Sequence, residues 1–338
     1  MMELSGNKMQ VKAFHLSAQG ASHIKRNKEC QDASFSCCGE DYALAVVCDG
    51  HGGDDYVRSA SGAAYACQAA AECMMKFLRD MDKSAFMTLE KEREEQIFQL
   101  EASIINAWNT SVSRHYADHP FTPEEEAILS PRARKRYLEE KKIESAYGTT
   151  MIVVVLTRDY WLGLQVGDGR CVVVDRDGDF SQPIPWNEKC FLNMTTSICD
   201  SDAIDNFRHC YSSVLPAAVL IGSDGVDDCF SNEAQLNQLY KTVLYSFANS
   251  SFEDAMKELD DYLPRLSEKG SGDDVSISAI LDMDAIKQLE AVNGYAASIP
   301  SGETSLEQTA ILQEPTAAAE QTESQDQTEV LTNEQQDE

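Results

Sequence analysis

Aspartates border several short apolar runs of this chain, at positions where a buried strand would begin or end. Asp49 follows 42–48, Asp224 follows 217–223, and Asp168 lies between the runs 160–165 and 171–174. Asp273 and Asp274 precede 275–281. Carboxylates gathered at one edge of a sheet repel one another and need a cation. Sites built from oxygen ligands alone suit hard ions such as Mg²⁺ or Mn²⁺.

The sharpest single motif is Asp49-Gly-His-Gly-Gly53. Asp49 offers an anionic oxygen, and Gly50 lets its own carbonyl approach a second cation because it has no side chain. His51 would lie beside the ions, where an imidazole can donate a proton to a leaving oxygen. Taken alone, the motif is equally typical of a glycine-rich turn that carries an exposed histidine.

The rest of the chain supplies the elements that must position these residues. Its 338 residues, 43% of them hydrophobic, suffice for one large domain with a sizeable core. Groups of strands alternate with long helices, which favours an α+β fold in which helices cover a largely antiparallel core. The patterns predict strands at 11–17, 32–36, 43–48, 149–157, 159–166, 170–176, 217–223 and 275–282, and helices at 55–81, 84–117, 232–248 and 252–266.

Charge and cysteine content exclude some classes of function. A net charge of −29 argues against binding to nucleic acid or to an anionic membrane surface. The eleven cysteines form no C-x-x-C pair and are typical of reduced, buried thiols. There is no apolar run of the roughly 18 residues that a membrane span needs. These features predict a cytoplasmic protein.

Two segments stand apart in composition. Residues 132–136 read Arg-Ala-Arg-Lys-Arg, which is either a solvated helix face or a surface for an acidic partner. No Lys or Arg follows Lys287, and from about residue 296 the chain is rich in Glu, Gln, Thr, Ser and Ala. This composition predicts a disordered acidic tail over 285–338, after a domain over 10–284.

Six short motifs occur in one order along the chain: Cys30-Gln-Asp-Ala33, Asp49-Gly-His-Gly-Gly53, Tyr147-Gly-Thr-Thr150, Val166-Gly-Asp-Gly-Arg170, Ser223-Asp-Gly225 and Gly272-Asp-Asp-Val-Ser276. The series resembles the metal-dependent protein phosphatases (the PPM, or type 2C, serine/threonine phosphatases). It looks closest to bacterial members that open with Gly-x-Ser-His, here Gly20, Ser22 and His23. The resemblance covers about residues 10–284.

This resemblance implies a four-layer fold, a sandwich of two antiparallel sheets flanked by helices, with two Mg²⁺ or Mn²⁺ ions at one end. Asp49 would bridge the ions, Asp224 and Asp273 would hold one of them, and the Gly50 carbonyl the other. Asp32 would order water around the second ion. Asp168, together with Asp224, matches a possible third site. A water held between the ions would attack phosphorus, and His51 would protonate the departing serine or threonine oxygen.

The chain departs from the family pattern at three positions. Gln31 stands where a Glu is common and would weaken the second ion site by one charge, and Asp274 stands where an Asn is usual. Asn27 occupies the usual position of a phosphate-binding Arg. We assign the phosphate to Arg26, whose guanidinium fork matches phosphate geometry. The alternative is that Lys25, Arg26 and Lys28 are all solvated loop charges.

The leading functional hypothesis is therefore a metal-dependent phosphatase that acts on phosphoserine and phosphothreonine of proteins, the targets of a Ser/Thr kinase. Two alternatives remain open. Gln31 and Asn27 are compatible with a catalytically weak pseudophosphatase that binds a phosphoprotein as a regulatory module. The same metal chemistry would also serve a small-molecule phosphomonoesterase, because a fold does not decide the substrate.

Overall fold

Two five-stranded antiparallel sheets form the centre of the protein, in a computed structural model that describes residues 10–191, 194–293 and 306. The first sheet has the order β1-β10-β9-β6-β7, with β1 at Val11–Ala18, β6 at Arg170–Val174, β7 at Phe180–Ser181, β9 at Ala218–Gly222 and β10 at Val275–Asp282. The second has the order β2-β3-β4-β5-β8, with β2 at Ala33–Cys38, β3 at Tyr42–Cys48, β4 at Met151–Thr157, β5 at Trp161–Val166 and β8 at Arg208–Ser212.

Helices cover the outer face of each sheet. The long ones are α2 (Ser59–Asp80), α4 (Glu90–Asp118), α9 (Glu233–Asn249) and α10 (Phe252–Lys269). The short ones are α1 (Ala21–Arg26), α3 (Lys83–Thr88), α5 (Pro123–Ile128), α6 (Pro131–Arg134), α7 (Ala203–Asn206), α8 (Asp224–Asp227), α11 (Met283–Ile286) and α12 (Glu290–Asn293). A π-helix at Lys135–Glu139 and a 3₁₀ helix at Ile143–Tyr147 complete the described helices.

Three apolar layers hold the sandwich together. One fills the space between the sheets, with Val154, Val219 and Ile280 among its members. A second joins the second sheet to α2 and α4 and contains Trp108, and a third joins the first sheet to α9 and α10. The predicted α+β sandwich, with four layers in the order helix, sheet, sheet, helix, is confirmed.

The layering explains why the central strands are readable from sequence. Every residue of β4 and of β10 is buried, because each strand has a helix layer on one face and the other sheet on its other face. Strands in that environment are typically continuous apolar runs, as β4 is, although β10 also buries Ser276 and Ser278.

Three local features differ from the predicted elements. The helix expected over 84–117 is interrupted at Leu89, whose backbone is extended (φ −115°, ψ 107°), so that α3 and α4 are separate helices. The segment 183–215, which has no strand pattern, contains β8; its five residues are half-buried and partly polar because β8 is an edge strand. The helix predicted from residue 55 begins at Ser59, after a turn.

At the C-terminal end, α11 and α12 continue past residue 284, and Leu306 is buried in the cluster around α9 and α10. The other residues of the predicted acidic tail, 294–305 and 307–338, lie outside the described residues. The boundary at 284 and the disorder of the tail therefore stay predictions. Of the helices described, none combines the length and apolar character needed to cross a bilayer.

Candidate active site

Antiparallel pairing brings the predicted aspartates to one end of the sandwich. Asp32 precedes β2 and Asp49 follows β3, and the register of these strands pairs Ala33 with Cys48. Asp224 follows β9 and Asp273 precedes β10, and these strands are also neighbours. In an antiparallel pair the end of one strand lies beside the start of the next. Residues more than two hundred positions apart thus meet in one cleft.

The carboxylates of Asp49 and Asp224 lie within hydrogen-bonding reach of each other. Burial, then the negative charges of Asp224, Asp32 and Asp273, raise the pKa of Asp49 well above its usual range. Burial likewise raises the pKa of Asp224 to about 6 and that of Asp32 to about 8, with neighbouring carboxylates adding to both shifts. Each group thus makes ionisation of the others more costly.

This donor set fits divalent cations. The Oδ2 atom of Asp32 is buried and has no hydrogen-bond partner in the protein. All the main influences on Asp49 disfavour its negative charge, so a cation placed among these carboxylates would relieve a repulsion that the chain itself does not balance. Carboxylate and carbonyl oxygens are the ligands that Mg²⁺ and Mn²⁺ prefer.

The aspartate pair before β10 divides into two environments. Asp274 is buried, and its carboxylate accepts hydrogen bonds from the backbone N–H groups of Gly20 and Gln31, both at 2.6 Å. The Asp273 side chain is 56% exposed. The buried ring of His23 lies between the two, with Nδ1 3.0 Å from Asp274 Oδ2 and Nε2 3.4 Å from Asp273 Oδ1.

The loop after Asp49 is packed too tightly for any residue but glycine at position 50. A Cβ atom there would lie 2.5 Å from the carbonyl oxygen of Gln31 and 2.8 Å from that of Ser59. The next residue, His51, is half-buried and meets the ring of Tyr56 edge-on, with the ring centroids 4.7 Å apart. Burial lowers the pKa of His51 to about 4.

Two threonines at the start of β4 hold the backbone of Asp49. The Thr149 hydroxyl donates to the Asp49 carbonyl oxygen at 2.7 Å, and the Thr150 N–H donates to the same oxygen at 2.8 Å. The Asp49 N–H in turn donates to the Thr150 hydroxyl at 3.2 Å. The Tyr-Gly-Thr-Thr motif thus positions Asp49, a role that its spacing along the chain did not indicate.

Asp168 is a further acidic residue whose charge acts on Asp224. Its side chain is partly buried, burial raises its pKa, and its negative charge contributes to the raised pKa of Asp224. The preceding Gly167 has a φ of 107°, in the left-handed region that favours glycine, and the tight turn directs the chain from β5 into β6. Asp168 and Asp224 are therefore neighbours.

The basic residues before β2 are placed differently from one another. Arg26, the last residue of α1, is exposed. Lys28 is the cation in contact with the glycine-rich motif, because its Nζ donates to the Gly52 carbonyl oxygen at 3.0 Å and to Asp54 Oδ1 at 3.1 Å. The sequence by itself does not distinguish Lys28 from the other loop charges, Lys25 and Arg26. The phosphate-binding role of Arg26 stays a prediction.

Comparison with protein families agrees with the motif series. The family model for protein phosphatase 2C matches residues 19–264, which is most of the chain. The chain belongs to the protein phosphatase 2C family. Members of this family are metal-dependent phosphatases. Comparison with curated proteins found no match.

Several solved structures are similar to this phosphatase 2C family member. The serine/threonine phosphatase Stp1 from Staphylococcus aureus is 15% identical with a TM-score of 0.49, over 83% of this chain and 97% of that one. The catalytic domain of the serine/threonine phosphatase PstP, solved with 2 manganese ions, is 16% identical with a TM-score of 0.48, over 80% and 97%. The family assignment rests on the family match alone.

Proposed function

We propose that this phosphatase hydrolyses phosphoserine and phosphothreonine on proteins and uses a site for two divalent cations. The observation that carries the proposal is the meeting of Asp32, Asp49, Asp224 and Asp273 in one cleft, where their charges oppose one another. Such an arrangement is costly for the fold unless a ligand repays it. Clusters of perturbed carboxylates are typical of functional sites.

The ligand roles proposed here are those that the family resemblance implies. Asp49, which adjoins both Asp32 and Asp224, would bridge the two ions. Asp224 and Asp273 would hold one ion, and the Gly50 carbonyl, with Asp32 nearby, the other. Asp168 with Asp224 would hold a third ion. When bound, Mg²⁺ or Mn²⁺ would supply a water of lowered pKa and would neutralise phosphoryl oxygens.

His51 is proposed as the group that protonates the departing serine or threonine oxygen. Because burial lowers its pKa to about 4, the ring is neutral in the free enzyme near neutral pH. A bound phosphate is dianionic and would favour protonation of an adjacent imidazole, which is the form that can act as the acid. The edge-on contact with Tyr56 would hold the ring in place while the proton is transferred.

A cation is also needed to orient the phosphate. Arg26 has the better fork for phosphate but is exposed, whereas the Lys28 ammonium is already in contact with the glycine-rich motif. Replacing Arg26 and Lys28 in turn by Gln shows which of them binds the phosphate. Loss of the phosphate anchor should raise KM for a phosphopeptide, whereas loss of a solvated charge should not. A rise in KM for Lys28→Gln alone would remove Arg26 from the site.

Gln31 favours the pseudophosphatase as the competing function. Its amide nitrogen donates to the Ser59 hydroxyl at 2.5 Å and to the His51 carbonyl oxygen at 3.3 Å, so it serves the loop as a donor where Glu would serve as an anion. An enzyme with a weakened second ion site would need a high concentration of metal. A binding module would show no turnover at any concentration.

The deciding experiment measures release of phosphate from a phosphoserine peptide with and without Mn²⁺ or Mg²⁺, for the wild type and for Asp224→Asn. We expect turnover that requires added metal and that falls by about a hundredfold or more in the variant. A substrate panel of phosphopeptides and phosphometabolites then separates a protein phosphatase from a small-molecule phosphomonoesterase. Metal-dependent turnover that survives in Asp224→Asn would sink the two-ion assignment.

A further inference from the structure

The basic segment at residues 131–142 is a strongly charged feature of the sequence that the catalytic proposal leaves unused. It contains Arg132, Arg134, Lys135, Arg136, Lys141 and Lys142 against two glutamates, in a chain whose net charge is −29. A segment that served only as a solvated helix face would not need to be held in a fixed position relative to the cleft.

Its position is instead determined by bonds to the loop that follows His51. The Ser130 N–H and hydroxyl both donate to the Asp55 carboxylate, at 2.8 and 2.7 Å. The Tyr137 hydroxyl donates to the Asp55 carbonyl oxygen at 3.0 Å. Asp55 lies four residues after His51, so the basic segment is attached directly beside the candidate active site.

A buried ion pair strengthens the attachment. The Arg58 guanidinium donates to both carboxylate oxygens of Glu125, at 2.7 and 2.9 Å, and to the His119 carbonyl oxygen at 2.6 Å. It also stacks over the ring of Phe121, 4.7 Å from the centroid. Because Arg58 directly precedes α2, the segment 119–130 is tied to the same loop, and the basic residues that follow it cannot drift away from the cleft.

Arg136 is a member of the segment whose charge acts on the catalytic loop. It is half-buried, and its positive charge opposes the rise in pKa that burial causes at Tyr56. Tyr56 is the residue whose ring meets His51. The charge of Arg136 also opposes the upward shifts in pKa that burial causes at Cys199 and Asp200.

A cavity of about 540 Å³ is lined by Arg136 and Lys142 of the basic segment, and by Ile198 and Asp200 among others. The Ile198 N–H donates to the carbonyl oxygen of Thr149, the residue that holds Asp49. The wall of the cavity is therefore linked to Asp49 through Thr149. Its two acidic lining residues are Glu144 and Asp200, and the Asp200 carboxylate already accepts the Ser197 N–H at 2.9 Å.

We propose that the basic segment 131–142 and the adjoining cavity bind acidic residues that flank the phosphorylated serine or threonine of a peptide substrate. This inference rests on the proposed function and adds the substrate class. The negative charge of the whole protein repels acidic peptides. A basic surface beside the cleft would attract such peptides locally and favour them over neutral ones. Contacts of this kind at a solvated rim act mainly through association and weaken as salt screens them.

The test compares two phosphoserine peptides of equal length, one with four flanking Asp or Glu residues and one with Asn or Gln in their place. We expect wild-type kcat/KM to favour the acidic peptide by about tenfold at low salt, a difference that corresponds to a few rim contacts. In the triple variant Arg132→Gln, Arg136→Gln, Lys142→Gln this preference should fall to within about twofold, while turnover of a small aryl phosphate is unchanged.

A matched control removes three positive charges at the other end of the sandwich: Arg79→Gln, Lys83→Gln and Arg158→Gln, residues that surround the far ends of β3 and β4. This variant should keep the preference for the acidic peptide. A preference lost equally in both variants would be an effect of net charge, and one retained in the basic-segment variant would place recognition elsewhere. Either outcome overturns the proposal.

Binding of the same peptides, measured by fluorescence anisotropy with Mn²⁺ present, separates this inference from the proposed function. Tighter binding of the acidic peptide that depends on the basic segment, without any turnover, would support the recognition surface and refute the enzyme. Turnover of both peptides with equal binding and equal kcat/KM would support the enzyme and refute the recognition surface.

Discussion

Asp273 and Asp274 are adjacent in the chain but face different surroundings. The carboxylate of Asp274 is buried against two backbone N–H groups at 2.6 Å, whereas the side chain of Asp273 is 56% exposed. The bonds of Asp274 join the start of α1 and the residue before Asp32 to the strand β10. Asp274 is therefore engaged in the fold, whereas the Asp273 side chain is open to solvent on one side and contacts His23 and the Asp274 N–H through Oδ1.

The division between these neighbours predicts opposite phenotypes. Asp273→Ala should reduce phosphopeptide turnover by about a hundredfold or more while changing the free energy of unfolding by less than about 0.5 kcal/mol. Asp274→Ala leaves two buried N–H groups unpaired and should lower the free energy of unfolding by about 2–4 kcal/mol. Urea denaturation and steady-state kinetics on both variants check this. Loss of stability in the first variant, or none in the second, would reverse the assignment.

His51 should matter in proportion to the basicity of the leaving group. We expect His51→Gln to lower turnover of a phosphoserine peptide by about a hundredfold or more, because an alkoxide needs a proton as it departs. An aryl phosphate with a weakly basic leaving group should lose less than about tenfold. The comparison requires kcat for both substrates at saturating Mn²⁺. Equal losses would mean that His51 acts by packing or by positioning water.

Arg58 should hold the segment 119–147 in place. Arg58→Met leaves the Glu125 carboxylate without its partner and should lower the free energy of unfolding by about 2 kcal/mol, less than for a fully buried pair because Glu125 is partly exposed. Limited proteolysis should then cut within 119–147. As a control, Lys76→Met removes an exposed pair with Asp80 on α2 and should leave both readouts unchanged. Unaltered proteolysis in Arg58→Met would contradict this role.

His209 should make stability depend on pH. Its ring joins β8 to α4, with Nε2 3.0 Å from Glu94 Oε2 and Nδ1 3.3 Å from Glu101 Oε1, and the bond to Glu101 does most to raise its pKa. Because the folded-state pKa is the higher one, this stabilisation is complete below about pH 6.5 and is lost as the pH rises through the folded-state pKa.

We therefore expect the difference in Tm between the wild type and His209→Gln to shrink between about pH 6 and about pH 8.5. His15→Gln serves as the control, because burial lowers the pKa of His15 rather than raising it. This variant should lose stability at alkaline pH as much as the wild type does. A constant difference between wild type and His209→Gln over this range would show that the ring stays neutral.

Leu306 should mark how far the folded domain extends. Its side chain is 1% exposed and belongs to the apolar cluster around α9 and α10. Leu306→Ala should lower the free energy of unfolding by about 2–3 kcal/mol, and a chain that ends at Ala296 should lose at least as much. A chain that ends at Ala310 retains Leu306 and should keep its Tm. Thermal unfolding of the three proteins decides. An unchanged Tm for the chain ending at Ala296 would support the predicted end of the domain.

Much of the fold was predictable because the signals are local. The runs that became β3, β4 and β9 are continuous and apolar because each strand is covered on both faces. The edge strand β8 was not predictable, since a half-buried strand at the end of a sheet needs no apolar run. The break between α3 and α4 at Leu89 was not predictable either. The apolar residues on either side keep helical spacing, so only the backbone conformation shows the interruption.

The site divides in the same way. The sequence by itself determined which residue types flank the strands and in what order their motifs occur, because a strand end and a glycine-rich turn are properties of a few neighbouring residues. Only the tertiary structure decided which aspartate of the pair at 273–274 is buried, that Lys28 meets the glycine-rich motif, and that the basic segment 131–142 is bonded to the loop after His51. Those relationships depend on strand register and on contacts between residues far apart in the chain, which no local pattern encodes.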